Sequence, residues 1–267
     1  MLELKNVTKR FGDMIVLDDV SFAVQPQEFL CITGPSGAGK STLISLIIGG
    51  DIATGGSIEI DGMDLRKVPR SALQLFRRRV GVVFQDYKLL DNRTVSENIA
   101  FPLEVCGAPD DVIRVRVPEL LEQVGMTRHA GAFPRELSGG EKTRVAIARA
   151  IVHQPIIILA DEPTGNVDPE QAKSILSLFK NIHEKGTTVI LATHDATLVD
   201  KLQTRVIRLE DGKIVRDSVG GYYGSKGHSH THAPAAKEQP EEKPAASEDA
   251  KTKKNETSKI RITSIGG

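Results

Sequence analysis

The stretch Gly34 to Ser41, GPSGAGKS, has a spacing that by itself implies a chemistry. It meets the pattern G-x-x-x-x-G-K-S/T through Gly34, Gly39, Lys40 and Ser41, with Pro35, Ser36, Gly37 and Ala38 between. Glycines let successive backbone N–H groups turn inward toward phosphate oxygens, and a helix starting near Lys40 adds the positive end of its dipole. Lys40 is then a mobile cation for the β- and γ-phosphates of a nucleotide, and the Ser41 hydroxyl a ligand for Mg²⁺. A Gly-rich turn before Lys and Ser also arises by chance in loops, so the pattern counts only between a strand and a helix. That context is present: Phe29 to Thr33 (FLCIT) reads as a buried strand, and Ser41 to Ile48 (STLISLII) is apolar enough for a buried helix.

Hydrolysing a phosphoanhydride needs more than a cradle. It needs a metal ligand, a group that positions or deprotonates water, and something to neutralise charge developing at the γ-phosphate. Asp161 ends the apolar run Ile156 to Ala160 (IIILA), where a carboxylate can hold Mg²⁺ directly or through water. The adjacent Glu162 is the natural general base. Reading it as a plain surface carboxylate fits poorly, because the run before it has fully buried character. His194 follows another apolar strand, TTVIL at 187 to 191, and can hydrogen-bond the γ-phosphate or orient the water, although a lone histidine is more often structural. Gln85, after VGVVF at 80 to 84, is placed to sense metal and water from a neighbouring strand end.

The elements that must position these residues alternate. Strands are expected at 2 to 7, 20 to 24, 29 to 33, 57 to 60, 80 to 84, 156 to 160, 187 to 191, 204 to 209 and 213 to 217. Helices are expected at 41 to 48, at 71 to 79, from Thr94 as an N-cap with Glu97 completing a capping box, from the second glycine pair of ELSGGEKTRVAIAR onward, and at 169 to 183. Residues 110 to 124 read as helical with a break at Pro118, which starts a second helix. Alternation of this kind argues for an α/β fold with a mostly parallel sheet covered on both faces and a ligand at the carboxyl ends of the strands.

Composition narrows the function. The 267 residues carry 35 basic and 35 acidic side chains, so nothing draws the chain generally toward nucleic acid or anionic lipid, and no nucleic-acid partner is expected. Cys31 and Cys106 stand in unrelated contexts and read as reduced thiols. Charges fill the N-terminal MLELKNVTKRF, and no run approaches the roughly 18 apolar residues of a membrane span, so a membrane role requires a partner. From about Ser218 the composition shifts to a low-complexity tail, expected to be disordered, with alternating His228, His230 and His232 and a β-branched end, SKIRITSIGG.

In order and spacing, GPSGAGKS, Gln85, LSGGE (Leu137 to Glu141), IIILADE, the GNVD turn (Gly165 to Asp168) and His194 resemble the ATP-binding cassette (ABC) ATPases, over residues 1 to about 217. The resemblance implies a P-loop nucleotide hydrolase fold of that type, with an antiparallel β subdomain, a helical subdomain at about 86 to 152, and residues 218 to 267 as a separate tail. It implies ATP and Mg²⁺ as cofactors. Phe11 would stack on the adenine, with Val16 and Gly34 to Thr42 around the nucleotide and Ser41, Gln85 and Asp161 at the metal, while Glu162 and His194 are catalytic. Ser138, Gly139, Gly140 and Glu141, at a second helix N-terminus, would form another anion site. Since one chain has one phosphate loop, that signature would close over the ATP of a second copy in a head-to-tail homodimer, as it does in the family.

VGVVFQDYKLLDNRTVSENIAFPLEV and ADEPTGNVDP, with Glu141 in place of a commoner Gln, resemble the cell-division branch of the family more closely. Its members pair with an FtsX-like integral membrane protein, work with other division proteins, and control peptidoglycan hydrolases from the cytoplasmic face of the membrane at the septum. Docking would fall near Gln85 to Asn98. An exporter or lipoprotein-release ATPase, which shares ADEPTGN, is the alternative. Departures from the family pattern are Phe11 where Tyr is usual, Lys142-Thr143 for a Gln pair, Pro118, and the tail.

Overall fold

The computed structural model describes residues 1–165 and 167–221. Asn166 of the GNVD turn, the His-rich tract and SKIRITSIGG lie outside the described residues, as does most of the expected tail. Among the described residues, no helix is long and apolar enough to cross a membrane.

The chain runs β1 (Leu2–Phe11), β2 (Met14–Val24), β3 (Phe29–Thr33), α1 (Lys40–Ile47), β4 (Gly55–Ile60), β5 (Met63–Asp64), α2 (Arg70–Arg77), β6 (Val80–Val83), α3 (Val95–Val105) and α4 (Asp110–Gln123). It continues through α5 (Gly139–Ile151), β7 (Ile157–Asp161), α6 (Pro169–Glu184), β8 (Thr188–Thr193), α7 (Ala196–Leu202), β9 (Arg205–Glu210) and β10 (Lys213–Val219). A six-stranded sheet has the order β10-β9-β3-β8-β7-β6, with β10 antiparallel to β9 and the other pairings parallel. A four-stranded antiparallel sheet has the order β2-β1-β4-β5. This is the expected combination of a mostly parallel sheet, an antiparallel β part and a helical part.

The apolar runs are continuous because both faces of the large sheet are buried. Phe29 and Cys31 of β3, with Ile158 and Ala160 of β7, join a core shared with α3 to α7. Leu30, Ile32, Ile157 and Leu159 point the other way, into a core shared with α1 and the antiparallel sheet. Truncating one of these wholly buried leucines to Ala costs ~2–5 kcal/mol.

Three expectations change. Pro118 does not break the chain into two helices: α4 is continuous through it. Pro118 and Arg114, whose carbonyl loses its helical partner, both lie on the exposed side, which leaves that oxygen open to solvent, while Val117, Leu120 and Leu121 anchor the other side. Strands β1 and β2 extend well beyond the expected segments. Their pairing carries register shifts between Leu4 and Val7 and between Val7 and Lys9, so the period-2 alternation that marks a strand is interrupted in the sequence. Helix α7, absent from the sequence reading, is short and starts at Asp195, whose Oδ1 accepts from the N–H groups of Thr197 and Leu198.

Candidate active site

Four neighbouring strands deliver the site at their carboxyl ends: β3 leads into the phosphate loop, β8 into His194, β7 into Asp161 and Glu162, and β6 toward Gln85. The loop can take its path only with glycine at two walls. Gly34 has φ 149, and a Cβ there would sit 2.1 Å from the Leu209 carbonyl oxygen of β9. Gly39 has φ 100, and a Cβ there would meet Leu17 Cδ2 at 2.7 Å and the Val16 carbonyl at 2.8 Å. Val16 thus borders the loop through its backbone. Pro35, Ser36 and Gly37 are exposed at the rim, whereas Ala38 and Lys40 are buried. No side chain caps α1, so the N–H groups of its first turn, at Lys40, Ser41 and Thr42, are open to a ligand.

Lys40 is held close to the loop. Its Nζ donates to the carbonyls of Gly34 at 2.8 Å and Pro35 at 3.0 Å, and lies 3.5 Å from Glu162 Oε1. Glu162 adopts the left-handed region, φ 47, and its N–H donates to the Ala192 carbonyl at 2.9 Å. A backbone conformation this unfavourable for an L-residue persists only where its surroundings fix it. Here it turns the side chain back between β7 and β8. Glu162 Oε2 accepts from the His194 backbone N–H at 3.3 Å and lies 2.9 Å from His194 Nδ1. One carboxylate oxygen therefore faces a cation and the other a histidine.

Asp161, the last residue of β7, is buried, and its Oδ1 has no hydrogen-bond partner. Burial raises its pKa above the usual carboxylate value; the Ser41 side chain opposes this, the charge of Glu162 adds to it, and Lys40 opposes it. A buried, unsatisfied carboxylate oxygen beside a hydroxyl is costly unless a cation completes it, and oxygen donors of this kind suit Mg²⁺. Among the described residues no cluster of three or more His, Cys, Asp or Glu forms a metal cage. Mg²⁺ sites of this type take most ligands from water and substrate phosphates, so Asp161 and Ser41 fit the ion.

The other expected residues stand apart from this group. Gln85 is exposed in the turn after β6. Ser138 caps α5: its Oγ accepts from the Glu141 N–H at 3.4 Å, while Glu141 Oε2 accepts from the Ser138 N–H at 2.8 Å and hydroxyl at 2.7 Å. Those bonds hold the Glu141 carboxyl below the usual range, the Ser138 hydroxyl contributing most. The cap takes the Glu141 amide and leaves those of Gly139 and Gly140 to a ligand. Gly140 lacks a side chain because Gln171 of α6 fills the space where a Cβ would stand. Among the described residues, no hydrogen bond or ion pair joins Ser138 to Glu141, or Gln85, to the phosphate loop. Phe11 ends β1 with about half its surface exposed, 49%.

Sequence reasoning missed Lys9 and Thr143. Lys9 is buried under Phe11, its Nζ 4.6 Å from the ring centroid and bonded to Asp51 Oδ1 at 2.7 Å and the Ile52 carbonyl at 2.9 Å. The cation sits against the ring, about half of whose residue surface remains exposed. Thr143, a departure from the family pattern, is buried, and its hydroxyl reaches the Gly139 carbonyl at 3.1 Å and the Pro163 carbonyl at 3.3 Å. It ties the start of α5 to the turn after Glu162.

A phosphate loop, a buried Asp161 with an unpartnered oxygen, Glu162 held between Lys40 and His194, and a capped helix after the second glycine pair together define, on this sheet order, a nucleotide-binding cassette. The ABC transporter family pattern matches residues 17–165, and the chain belongs to that family. It is similar to the cell division ATP-binding protein FtsE of Streptococcus pneumoniae, 47% identical over 84% of this chain and 98% of the relative. FtsE of Bacillus subtilis is 46% identical over 84% and 99%, and that of Escherichia coli 43% over 80% and 97%. Among solved structures, a dimeric ATP-binding cassette in a post-hydrolysis state bound to ADP and Pi is 36% identical with a TM-score of 0.76, covering 82% of this chain and 98% of its own.

Proposed function

We propose that this chain is the ATP-binding and ATP-hydrolysing subunit of an FtsEX-like membrane complex acting in cell division. The observation that carries the hydrolytic part is Glu162, held between Lys40 and His194 next to the unsatisfied Asp161. Glu162 accepts the proton of the attacking water, and His194 keeps it aimed. Lys40 exchanges the loop carbonyls for phosphate oxygens, and the N–H groups of the loop and of α1 hold the rest of the triphosphate. Ser41, Asp161 and Gln85 would hold Mg²⁺, which when bound would supply positive charge against the phosphates. Phe11, about half exposed, stacks on the adenine.

In this reading residues 1 to 217 form the ATPase domain. Ser138, Gly139, Gly140 and Glu141 complete the nucleotide site of a second copy, so ATP closes a homodimer and hydrolysis opens it. The dimeric cassette neighbour and the FtsE relatives support this. An FtsX-like integral membrane protein docks near Gln85 to Asn98, places the ATPase on the cytoplasmic face of the membrane at the septum, and passes closure on to peptidoglycan hydrolases. Affinity purification from detergent-solubilised membranes tests the assignment. Recovery of an FtsX-like protein is expected; recovery of a permease with substrate-binding machinery would overturn it in favour of an exporter or lipoprotein-release ATPase.

A further inference from the structure

We propose that Arg149 is the positioning residue that locks the signature helix to the Gln85 loop, by clasping two consecutive backbone carbonyls in a strained turn. Its Nη1 donates to the Lys88 carbonyl at 2.6 Å and its Nη2 to the Tyr87 carbonyl at 2.7 Å. Both residues are left-handed, Tyr87 at φ 62 and Lys88 at φ 49. Two successive L-residues in that region are unfavourable and require something outside the turn to hold them. Local bonds help: the Tyr87 N–H donates to Phe84 at 2.9 Å and the Lys88 N–H to Asp86 at 2.6 Å. They leave the carbonyls facing α5, where the planar fork of Arg149 takes both.

The clasp is built for carbonyls. Arg149 forms no ion pair with a carboxylate among the described residues, and burial lowers its pKa. A desolvated guanidinium with only dipoles to offset its charge is expensive, so the carbonyls are its necessary partners. Downstream, the wholly buried Asn98 of α3 fixes the far end of the same loop. Its Nδ2 donates to Leu90 at 3.1 Å, Arg93 at 3.1 Å and Thr94 at 2.9 Å, and its Oδ1 accepts from the Leu90 N–H at 2.8 Å. The segment after Gln85 is thus held from α5 at one end and from α3 at the other. Helix α5 carries the Ser138 cap at its start and Arg149 in its last turn. A shift of its N-terminus as a dimer closes must reach Tyr87 and Lys88, and through them Gln85.

The inference rests on the reading of Gln85 as a metal-facing residue, and its test separates the two. Arg149→Met keeps the stem and removes the fork. Amide hydrogen exchange at residues 86 to 90 should accelerate on the order of tenfold, the loss of a charged hydrogen bond, while the interior of α5 keeps its protection. The Mg²⁺ concentration for half-maximal ATPase activity should rise, with Mg²⁺-free nucleotide binding unchanged. Adding Lys88→Gly, at an exposed position, in the Met background should restore slow exchange in part, since glycine adopts the left-handed region without strain; a residue that only fills space would not be rescued this way. Should Arg149→Met fail to fold, Arg149→Lys, which reaches one carbonyl, carries the same comparison with a smaller acceleration. Unchanged exchange at 86 to 90, or no rescue by Lys88→Gly, overturns the clasp. Faster exchange with an unchanged Mg²⁺ requirement supports the clasp and overturns the role of Gln85 at the metal.

Discussion

His194 grips Glu162 twice: its ring Nδ1 lies 2.9 Å from Glu162 Oε2, and its backbone N–H donates to the same oxygen at 3.3 Å. The other oxygen, Oε1, is 3.5 Å from Lys40 Nζ. A carboxylate fixed at both ends cannot swing away from a water held at the γ-phosphate. In the proposed mechanism the histidine acts through Glu162, and its own side chain remains largely exposed.

Glu162→Gln keeps the shape of that grip and removes the base. Turnover should fall by about 10² to 10⁴ while ATP affinity is kept. Steady-state kinetics with a nucleotide-binding titration check this; unchanged turnover would remove Glu162 from its role. His194→Ala loses the ring contact and keeps the backbone bond, so kcat should fall less than for Glu162→Gln, with KM nearly unchanged.

Lys40→Ala removes a buried cation that donates to the carbonyls of Gly34 and Pro35, of which Pro35 keeps the Ala38 N–H at 3.2 Å. Nucleotide binding should be abolished, since no other cation within the loop replaces it. Calorimetric titration with ATP gives the answer directly, and intact binding would contradict the cradle.

Asp161 sets a pH dependence. Its folded pKa is raised above the ordinary 3.8, chiefly by burial, so its contribution to stability is fully present below that value and is lost as pH rises through the folded value. Asp161→Asn carries no such dependence. Metal-free, the variant should melt higher than the parent at neutral pH, at about 2–4 °C per kcal/mol for a domain of this size, and the gap should close toward acid. Nucleotide alone should raise both midpoints, and Mg²⁺ should add a further rise in the parent that is nearly lost in the variant. Thermal melts across pH, with and without the ion, measure both effects; parallel curves would contradict the buried carboxylate as a metal ligand.

Much of this architecture is legible in the sequence where burial is two-sided. FLCIT and IIILA could be read as strands because the runs are almost wholly apolar, and Thr94 with Glu97 announces a helix start through capping chemistry that is local. The residues at strand ends follow, because a charged side chain after such a run has one place to be. The remainder depends on contacts distant in sequence. Lys9 looks like a surface lysine until Asp51 and Phe11 are folded against it, and the bulges of β1 erase the alternation that would have shown its length. Pro118 obeyed tertiary anchoring over local propensity. Gln85 was legible as a residue and not as a geometry, since what holds its loop is Arg149, 64 positions away.

The central claim is that ATP joins two copies across the phosphate loop of one and the signature of the other. The mass of Glu162→Gln by light scattering, with and without Mg·ATP, tests it most directly. A dimer with ATP that reverts to monomer without nucleotide, and that Ser138→Arg abolishes while ATP still binds, is the predicted result. A monomer at saturating ATP would contradict it.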